Sequence, residues 1–208
     1  MRSPRPSGVP PSPRIGGLLW LDFVNTRFRQ RGAWVDALAT PAGLAGWLEL
    51  VGAAPPGGRA ALARLRGRPG GRLLLRQAHA FRASLADLAR SLVDGGAVPA
   101  RSVQIVNRVL RAAPAHRELR ARGASWAEHQ VVSDADPLSL LGPVAHSAAD
   151  FLLSGERTRL RRCGHPACVL YFYDRTRNGS RRFCSAATCG NRIKAARRYQ
   201  RLRASRSG

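Results

Sequence analysis

The chain has 208 residues, of which 44% are hydrophobic, enough for a folded core and too many for a wholly disordered chain. Its 35 lysine and arginine residues against 12 acidic ones give a formal net charge of +23. No stretch approaches the roughly 18 consecutive apolar residues of a membrane span, and none follows the N-terminus as a signal-peptide core would. We therefore expect no membrane partner and a cytoplasmic protein whose cysteines stay reduced.

Residues 1–14 combine arginine and proline without an apolar run, which predicts a disordered tail. Residues 15–156 carry apolar side chains at helical spacing, and this pattern predicts an α-rich domain. One short helix is bounded at both ends, with Thr40 as N-cap, Pro41 at the first helical position and Gly52 at the left-handed exit.

Three further helices are predicted downstream. A long one covers roughly residues 72–94, where apolar side chains recur at alternating spacings of four and three. Another starts near Pro99, and the last covers about 137–154. The segment between these two lacks helical periodicity and is compatible with a small β-hairpin that turns at Gly123. These apolar stripes are typical of a helical core and require no cofactor.

Residues 18–26, LLWLDFVNT, place two polar side chains in a helix that is otherwise apolar nearly all round. Such a helix is buried, and a buried carboxylate needs a partner or loses its charge. Asp22 and Asn25 lie three positions apart, and Arg82 on the long helix is the partner we predict. The three residues form either a structural ion pair between two helices or a polar pocket for an unknown small-molecule effector.

The positive charge is concentrated at the C-terminal end of the sequence. Residues 157–208 contain 15 basic side chains and one acidic one, Asp174, so this block has a net charge of +14. A block of this density attracts a polyanion through counterion release. The alternative is a solvated tail that only aids solubility.

All four cysteines lie in the same block, as two pairs with four residues inside each pair and fifteen between the pairs. Two such pairs predict a tetrahedral zinc site, because each pair supplies two thiolates from a tight turn. Four thiolates fill the coordination sphere, so the one zinc ion is structural. Two disulfides are the alternative, and His165 is a substitute ligand that four thiols make unnecessary. The predicted zinc ligands are Cys163, Cys168, Cys184 and Cys189.

The gap between the pairs predicts a β-hairpin. An apolar strand covers 169–173, a turn contains Asn178 and Gly179, and a second strand returns into Phe183. A helix follows at 191–203. The order of knuckle, hairpin and helix is that of a treble-clef zinc finger, which we assign to 157–204 with a disordered tail at 205–208. The fold class is thus mainly α, with a treble-clef-like finger after the α-rich domain.

The helix of the finger has two predicted sides. Ala195, Tyr199 and Leu202 face the hairpin, and basic residues cluster opposite them. Guanidinium groups bind phosphates in pairs of hydrogen bonds and recognise guanine in the major groove. The nucleic-acid contacts predicted on the helix and the hairpin loop are Arg175, Arg177, Arg181, Arg182, Arg192, Lys194, Arg197, Arg198 and Arg201.

The segment RLRRCGHPACVLYFYDRTRNGSRRFCSAATCGNR resembles the CGNR zinc finger, named after the Cys-Gly-Asn-Arg at 189–192. Upstream, LDFVNT, LAGWLELVG and the helix around Arg82 resemble the ABATE domain that accompanies this finger in bacterial proteins. The resemblance extends from about 17 to 203 and is weaker around 53–72 and 112–130. It implies a stress-induced transcription regulator, with DNA binding by the finger and ligand sensing by the helical domain.

We therefore expect a bacterial transcription regulator that binds DNA through a structural zinc finger. RNA is the alternative partner, since an arginine-rich helix with exposed Tyr171 or Tyr173 suits RNA as well. An enzyme is not expected. A metal-dependent nuclease needs a histidine base and further carboxylate or histidine ligands, whereas the hairpin offers Asp174 alone.

Overall fold

The computed structural model describes residues 14–52, 69–113, 115–123, 125–132 and 136–205. The predicted disordered tails lie outside these ranges except for Arg14 and Ser205. Within the described ranges the helices are α1 (Leu19–Val24), α2 (Pro41–Leu50), α3 (Pro69–Val93), α4 (Ala100–Ala112), α5 (Gly142–Ser154) and α6 (Asn191–Ala204). The strands are β1 (Arg27–Gln30), β2 (Ala33–Asp36), β3 (Ala115–Arg122), β4 (Ser125–Val132), β5 (Leu160–Arg162) and β6 (Tyr171–Tyr173), paired as three antiparallel hairpins. The mainly α fold class is confirmed.

The ends of the helices follow the capping signals in the sequence. The Thr40 hydroxyl accepts a hydrogen bond from the backbone N–H of Gly43 at 3.0 Å, and Pro41 occupies the first position of α2. Gly52 follows that helix with a φ of +68°. The Asp136 carboxylate accepts from the N–H of Leu138 at 2.8 Å and caps a 3₁₀ turn that leads into α5.

Helix α1 lies at the centre of the larger core. Its Trp20 and Phe23 side chains are fully buried, as the apolar character of the segment predicts. The ring of Phe23 lies 5.8 Å from that of Phe81 on α3, and the ring of Trp20 lies 5.3 Å from that of Phe151 on α5. Helix α1 therefore packs against both α3 and α5. In the described part of the chain no helix is both long and apolar enough to cross a membrane.

The hairpin of β1 and β2 was not predicted from the sequence. It turns at Arg31 and Gly32, whose φ angles are +50° and +85°, and pairs Phe28 with Val35. An arginine in the left-handed region is uncommon, and Arg-Gly is a weaker turn signal than Asn-Gly or Asp-Gly. Strand side chains alternate between faces, so Phe28 and Val35 share one face while the basic and aromatic side chains share the other.

The second hairpin confirms the prediction of a turn at Gly123, which has a φ of +61°. Strands β3 and β4 pair along eight residues each, a longer ladder than the short segment around the turn suggested. Leu119 and Trp126 on this hairpin are 70% and 71% exposed. These two side chains therefore lie outside the helical core.

The C-terminal finger is joined to the helical domain through the main chain of β6. The Asn25 side-chain amide donates to the carbonyl oxygen of Tyr171 at 2.7 Å, and its oxygen accepts from the N–H of Tyr171 at 3.0 Å. The N–H of Tyr173 donates to the carbonyl of Gly16 at 2.8 Å. Asn25 thus satisfies both polar groups of one strand residue, as a neighbouring strand would.

Apolar side chains of the helical domain and of the finger each pack into the core of the other part. Leu160 and Tyr171 of the finger belong to the larger core, whereas Ile15 and Phe28 belong to a smaller core that contains Cys163, Cys184 and Cys189. Neither core is therefore formed from one part of the sequence alone.

Candidate metal centre and nucleic-acid interface

The first cysteine pair lies in a tight turn between β5 and β6. The N–H of Cys163 donates to the carbonyl of Leu170, and the N–H of Cys168 donates to the carbonyl of His165, both at 2.9 Å. The ring Nδ1 of His165 accepts from the N–H of Ala167 at 3.2 Å. The imidazole is thus part of the turn and lies outside the group of potential metal ligands.

The second pair lies in the turn that starts α6. The Ser185 hydroxyl accepts from the N–H of Thr188 at 3.2 Å and caps a π turn that contains Cys189 and runs directly into α6. The N–H of Cys184 donates to the sulfur of Cys163 at 3.4 Å, which ties the second pair to the first. The start of α6 is therefore fixed beside the thiols.

The predicted returning strand into Phe183 is wrong, because residues 181–183 form no strand. The loop after β6 folds around the Asp174 carboxylate instead. That carboxylate accepts from the N–H and hydroxyl of Thr176 at 2.9 and 2.6 Å, and from the N–H of Arg181 at 2.8 Å. The carbonyl of Arg182 then accepts from the N–H of Gly164 at 2.9 Å, so the segment pairs with the knuckle.

The positions of the four sulfurs match one tetrahedral zinc ion. All lie within 4.8 Å of one another, with 3.6 Å between Cys184 and Cys189 and 3.8 Å between Cys168 and Cys184. Zinc–sulfur bonds of about 2.3 Å in a tetrahedron place sulfurs about 3.8 Å apart. A disulfide needs a sulfur separation of about 2.05 Å, and all four cysteines are free thiols. The protein thus has a site for one structural zinc ion.

The electrostatics of the thiol site favour a divalent cation. Hydrogen bonds from the Cys168 and Cys184 thiols hold the pKa of Cys163 well below its usual range, so one thiolate forms readily. The pKa of Cys184 is raised mostly by its hydrogen bond with Cys163, and further by its hydrogen bond with Cys168 and by burial. Four adjacent thiols cannot all ionise without a compensating charge, which zinc supplies when bound.

The Asp174 carboxylate stabilises the fold of the finger through hydrogen bonds within its own loop. Burial acts to raise the pKa of this fully buried carboxyl, but the hydrogen bonds from Thr176 and Arg181 hold the pKa below its usual range. The guanidinium of Arg161 lies 3.8 Å away. An ionised carboxylate with these partners organises the loop.

Four basic side chains form an exposed face of α6, which we call the basic face. Its members repeat at spacings of three, four and seven along the helix, so they share one side. They are Lys194, Arg197, Arg198 and Arg201, all exposed. Arg177, Arg182 and Arg192 are exposed as well.

Two of the arginines predicted to bind nucleic acid are bonded to the main chain. Arg175 donates to the carbonyl of Gly17 at 2.6 Å while remaining exposed. Arg181 donates to the carbonyls of Ile15, Phe183 and Cys184, and its guanidinium lies 4.4 Å above the centre of the Phe172 ring. These bonds give Arg181 a structural position between the finger and the N-terminal segment, and we leave it out of the nucleic-acid interface.

The prediction that the apolar side chains of α6 face the hairpin is wrong. Tyr199 is 63% exposed and Leu202 is 52% exposed. Ile193 is half-buried, and from Lys194 onward every described α6 side chain is exposed. The thiols fix the helix at its first turn, so its later turns extend beyond the small core of the finger.

The prediction that Arg82 is the partner of Asp22 is wrong. Arg82 donates to the two carboxylate oxygens of Asp36 at 2.6 and 2.5 Å and to the hydroxyl of Thr26 at 2.9 Å. Asp22 instead accepts from the N–H of Gly16 at 2.7 Å. The β1–β2 hairpin, which was not predicted, brings Asp36 to the long helix.

The pKa values follow from these separate surroundings. Burial raises the pKa of Asp22 to about 7, although the Gly16 N–H and the positive charges of Arg14 and Arg175 act in the opposite direction. Burial also acts to raise the pKa of Asp36, but its hydrogen bonds with Arg82 and Leu38 hold that pKa below its usual range.

A cavity of about 470 Å³ lies where the β1–β2 hairpin, α3 and the finger meet, and we call it the junction cavity. Asn25 and Arg82 contribute to its walls, whereas Asp22 does not. Trp34 and Arg162 are wall residues that the sequence analysis missed. The alternation in RFRQRGAWVD, with a glycine at its centre, is the signal from which the hairpin could have been found.

A second groove, of about 640 Å³, is lined by residues of β5, among them Arg162, which also lines the junction cavity. Its walls include Arg157, Arg161 and Arg182, together with apolar residues at the end of α3. The groove is therefore lined by several basic side chains of the finger.

The protein combines an α-rich domain with a four-thiol zinc site, and it is therefore a zinc-finger protein of mainly α fold. The sequence matches the ABATE family, described as "Putative stress-induced transcription regulator", over residues 17–155, and the CGNR zinc finger over residues 159–202. The chain belongs to the ABATE family and carries a CGNR zinc finger, which confirms the resemblance noted in the sequence. No curated protein matches the sequence significantly.

Proposed function

We propose that the protein is a transcription regulator that binds duplex DNA through the basic face of α6 and senses a small ligand in its helical domain. The observation that carries the DNA-binding part is the exposed basic face on a helix whose start is fixed by Cys189. A rigid helix with arginines on one side suits insertion into the major groove. DNA binding and reduced thiols both suit a cytoplasmic protein, which is the localisation we propose.

Tyr171 and Tyr173, the two strand tyrosines on which the RNA alternative depends, do not offer exposed rings, although Tyr199 on α6 does. Single-stranded RNA is usually bound by stacking bases on exposed aromatic rings. Tyr171 is buried with 9% exposure and Tyr173 is half-buried, so the exposure expected at Tyr171 is wrong. A competition experiment at matched salt, with duplex DNA against structured RNA, decides between the two partners.

We also propose a binding protein rather than an enzyme. A zinc ion held by four thiolates has no open position for water or substrate. The carboxylate closest to this site in sequence, Asp174, is fully buried in hydrogen bonds of its own loop.

The test of DNA binding is the salt dependence of affinity for single substitutions on the basic face. Arg197→Ala and Arg198→Ala are measured on a selected site and on random duplexes. A phosphate contact lowers the salt slope by about 0.9 and weakens both duplexes equally. A base contact costs about 1–3 kcal/mol on the selected site alone. We expect the second pattern for at least one of the two variants.

Arg72→Ala is the matched control, since it removes the same charge from an exposed position on α3. If Arg72→Ala weakens binding as much as Arg197→Ala, the attraction depends on net charge alone and the basic face is not the interface. Preserved zinc content in each variant shows that the finger is intact.

A further inference from the structure

We propose that the junction cavity binds a small organic anion, an oxyanion head group attached to a flat apolar body. The inference rests on the proposed ligand sensing and names both its site and the chemical class of its ligand. The cavity volume of about 470 Å³ falls within the range of small-molecule sites, about 300–1,000 Å³.

The charges around the cavity leave a positive excess. Its titratable walls are Arg27, Asp36, His79, Arg82, Arg90 and Arg162. Asp36 gives both carboxylate oxygens to Arg82, and Arg90 pairs with Asp87 at 2.6 Å. The Nε2 of His79 lies 2.8 Å from the carbonyl oxygen of Leu38, which occupies that ring nitrogen.

Arg27 and Arg162 remain, and neither has a carboxylate within ion-pair distance among the residues that the structure describes. They come from different elements, β1 and β5, and both line the same cavity. Two guanidinium groups that have no carboxylate partner in the described ranges and that line one cavity attract an oxyanion and repel a cation.

The remaining walls suit a flat apolar body. Val24, Ala83, Ala86 and Val169 supply small apolar surfaces. The Trp34 ring is half exposed, with the Arg27 guanidinium 4.9 Å from its centre. A ring held against these side chains places its attached oxyanion beside the two arginines.

A ligand at this site contacts both parts of the protein. Arg27 belongs to the hairpin whose other face places Phe28 in the core of the thiol site. Arg162 immediately precedes the zinc ligand Cys163. An anion held by both arginines therefore links the helical domain to the finger, and its binding stabilises the arrangement in which the two are joined.

The experiment uses the full zinc-loaded chain and four probes with one ring each: benzoate, phenyl phosphate, benzyl alcohol and benzylamine. Calorimetry gives affinities, and the indole N–H signal of Trp34, assigned with Trp34→Phe, locates the site. We expect both oxyanions to bind and to shift that signal, and benzyl alcohol to bind about tenfold more weakly because it lacks the charge. Benzylamine should not bind.

Arg27→Gln and Arg162→Gln should each weaken benzoate binding about fivefold, whereas Arg101→Gln, at an exposed arginine of α4 outside the cavity, should leave it unchanged. Equal binding of benzyl alcohol, unchanged affinity in both cavity variants, or an unmoved Trp34 signal at the highest soluble probe concentration would overturn the proposal.

No nucleic acid is present in these measurements, so failure of DNA binding leaves their outcome intact. Conversely, DNA binding by a protein that binds neither oxyanion overturns the anion site and leaves the DNA-binding proposal standing. A change in DNA affinity on adding benzoate tests the sensing step itself.

Discussion

Replacing Asp22 with asparagine should make the protein more stable at neutral and alkaline pH. The Asp22 carboxyl is 6% exposed and accepts one hydrogen bond, from the Gly16 N–H at 2.7 Å. Asparagine offers an oxygen of the same shape to that N–H and never ionises. The substitution therefore removes the cost of a buried charge while retaining the hydrogen bond.

The magnitude follows from the pKa of this group, which burial raises from 3.8 to about 7. Below pH 3.8 the carboxyl is protonated in the folded and the unfolded chain, so it has no effect on stability. Between pH 3.8 and about 7 the folded chain binds more protons than the unfolded one, and its stability falls as pH rises. Above about pH 7 the full penalty is present, which corresponds to about 4 kcal/mol.

The assay is urea unfolding of the original protein and Asp22→Asn from pH 4 to pH 8, with zinc in excess. Protonation of the thiols also affects stability over this range, but it affects both proteins alike and cancels in their difference. We expect that difference to be small near pH 4 and to grow in favour of Asp22→Asn up to about pH 7. A difference that does not change with pH, or a less stable variant at pH 8, would refute the argument.

Three further predictions concern the zinc ion and the contacts between the two parts. Metal analysis should find one zinc ion per chain, and chelation should increase hydrogen exchange at the Phe28 and Val35 amides, because both side chains pack against the thiol core. Asp36→Ala should lower the free energy of unfolding by about 3–5 kcal/mol, since it leaves the Arg82 guanidinium, 8% exposed, without its carboxylate. Chemical denaturation measures this loss, and Arg82→Met in the same chain should restore part of it. Asn25→Ala should cost about 1–3 kcal/mol by leaving buried main-chain groups of β6 unpaired, and a thermal melt that matches the original protein would contradict this.

Features determined by local chemistry were predictable from the sequence. The cap at Thr40 and the exit at Gly52 depend on side chains within one turn of the helix end, and both are found where predicted. The zinc site is equally local, because each cysteine pair is brought together by its own tight turn. Only the joining of the two pairs depends on contacts from further along the chain.

Features determined by distant contacts were not predictable. The partner of Arg82 is Asp36, on a strand that one-dimensional periodicity did not reveal. Burial raises the pKa of the Asp22 carboxyl, as expected for a buried carboxylate without an arginine partner. Whether Asp22 has such a partner depends on where the arginines lie in space, which the sequence does not show. The exposure of Tyr199 likewise follows from the direction in which α6 leaves the thiol site.

The β1–β2 hairpin connects the junction cavity to the thiol site through the alternation of its side chains. Arg27 lines the cavity on one face of β1, and its neighbour Phe28 packs among the cysteines on the other. A strand with one face in each site cannot shift at one without shifting at the other, because packed cores do not deform continuously. Since α6 begins at the turn that holds Cys189, a movement of the thiol site would reorient the basic face. We propose that the direction of α6 is the variable through which an anion in the junction cavity changes the affinity for DNA.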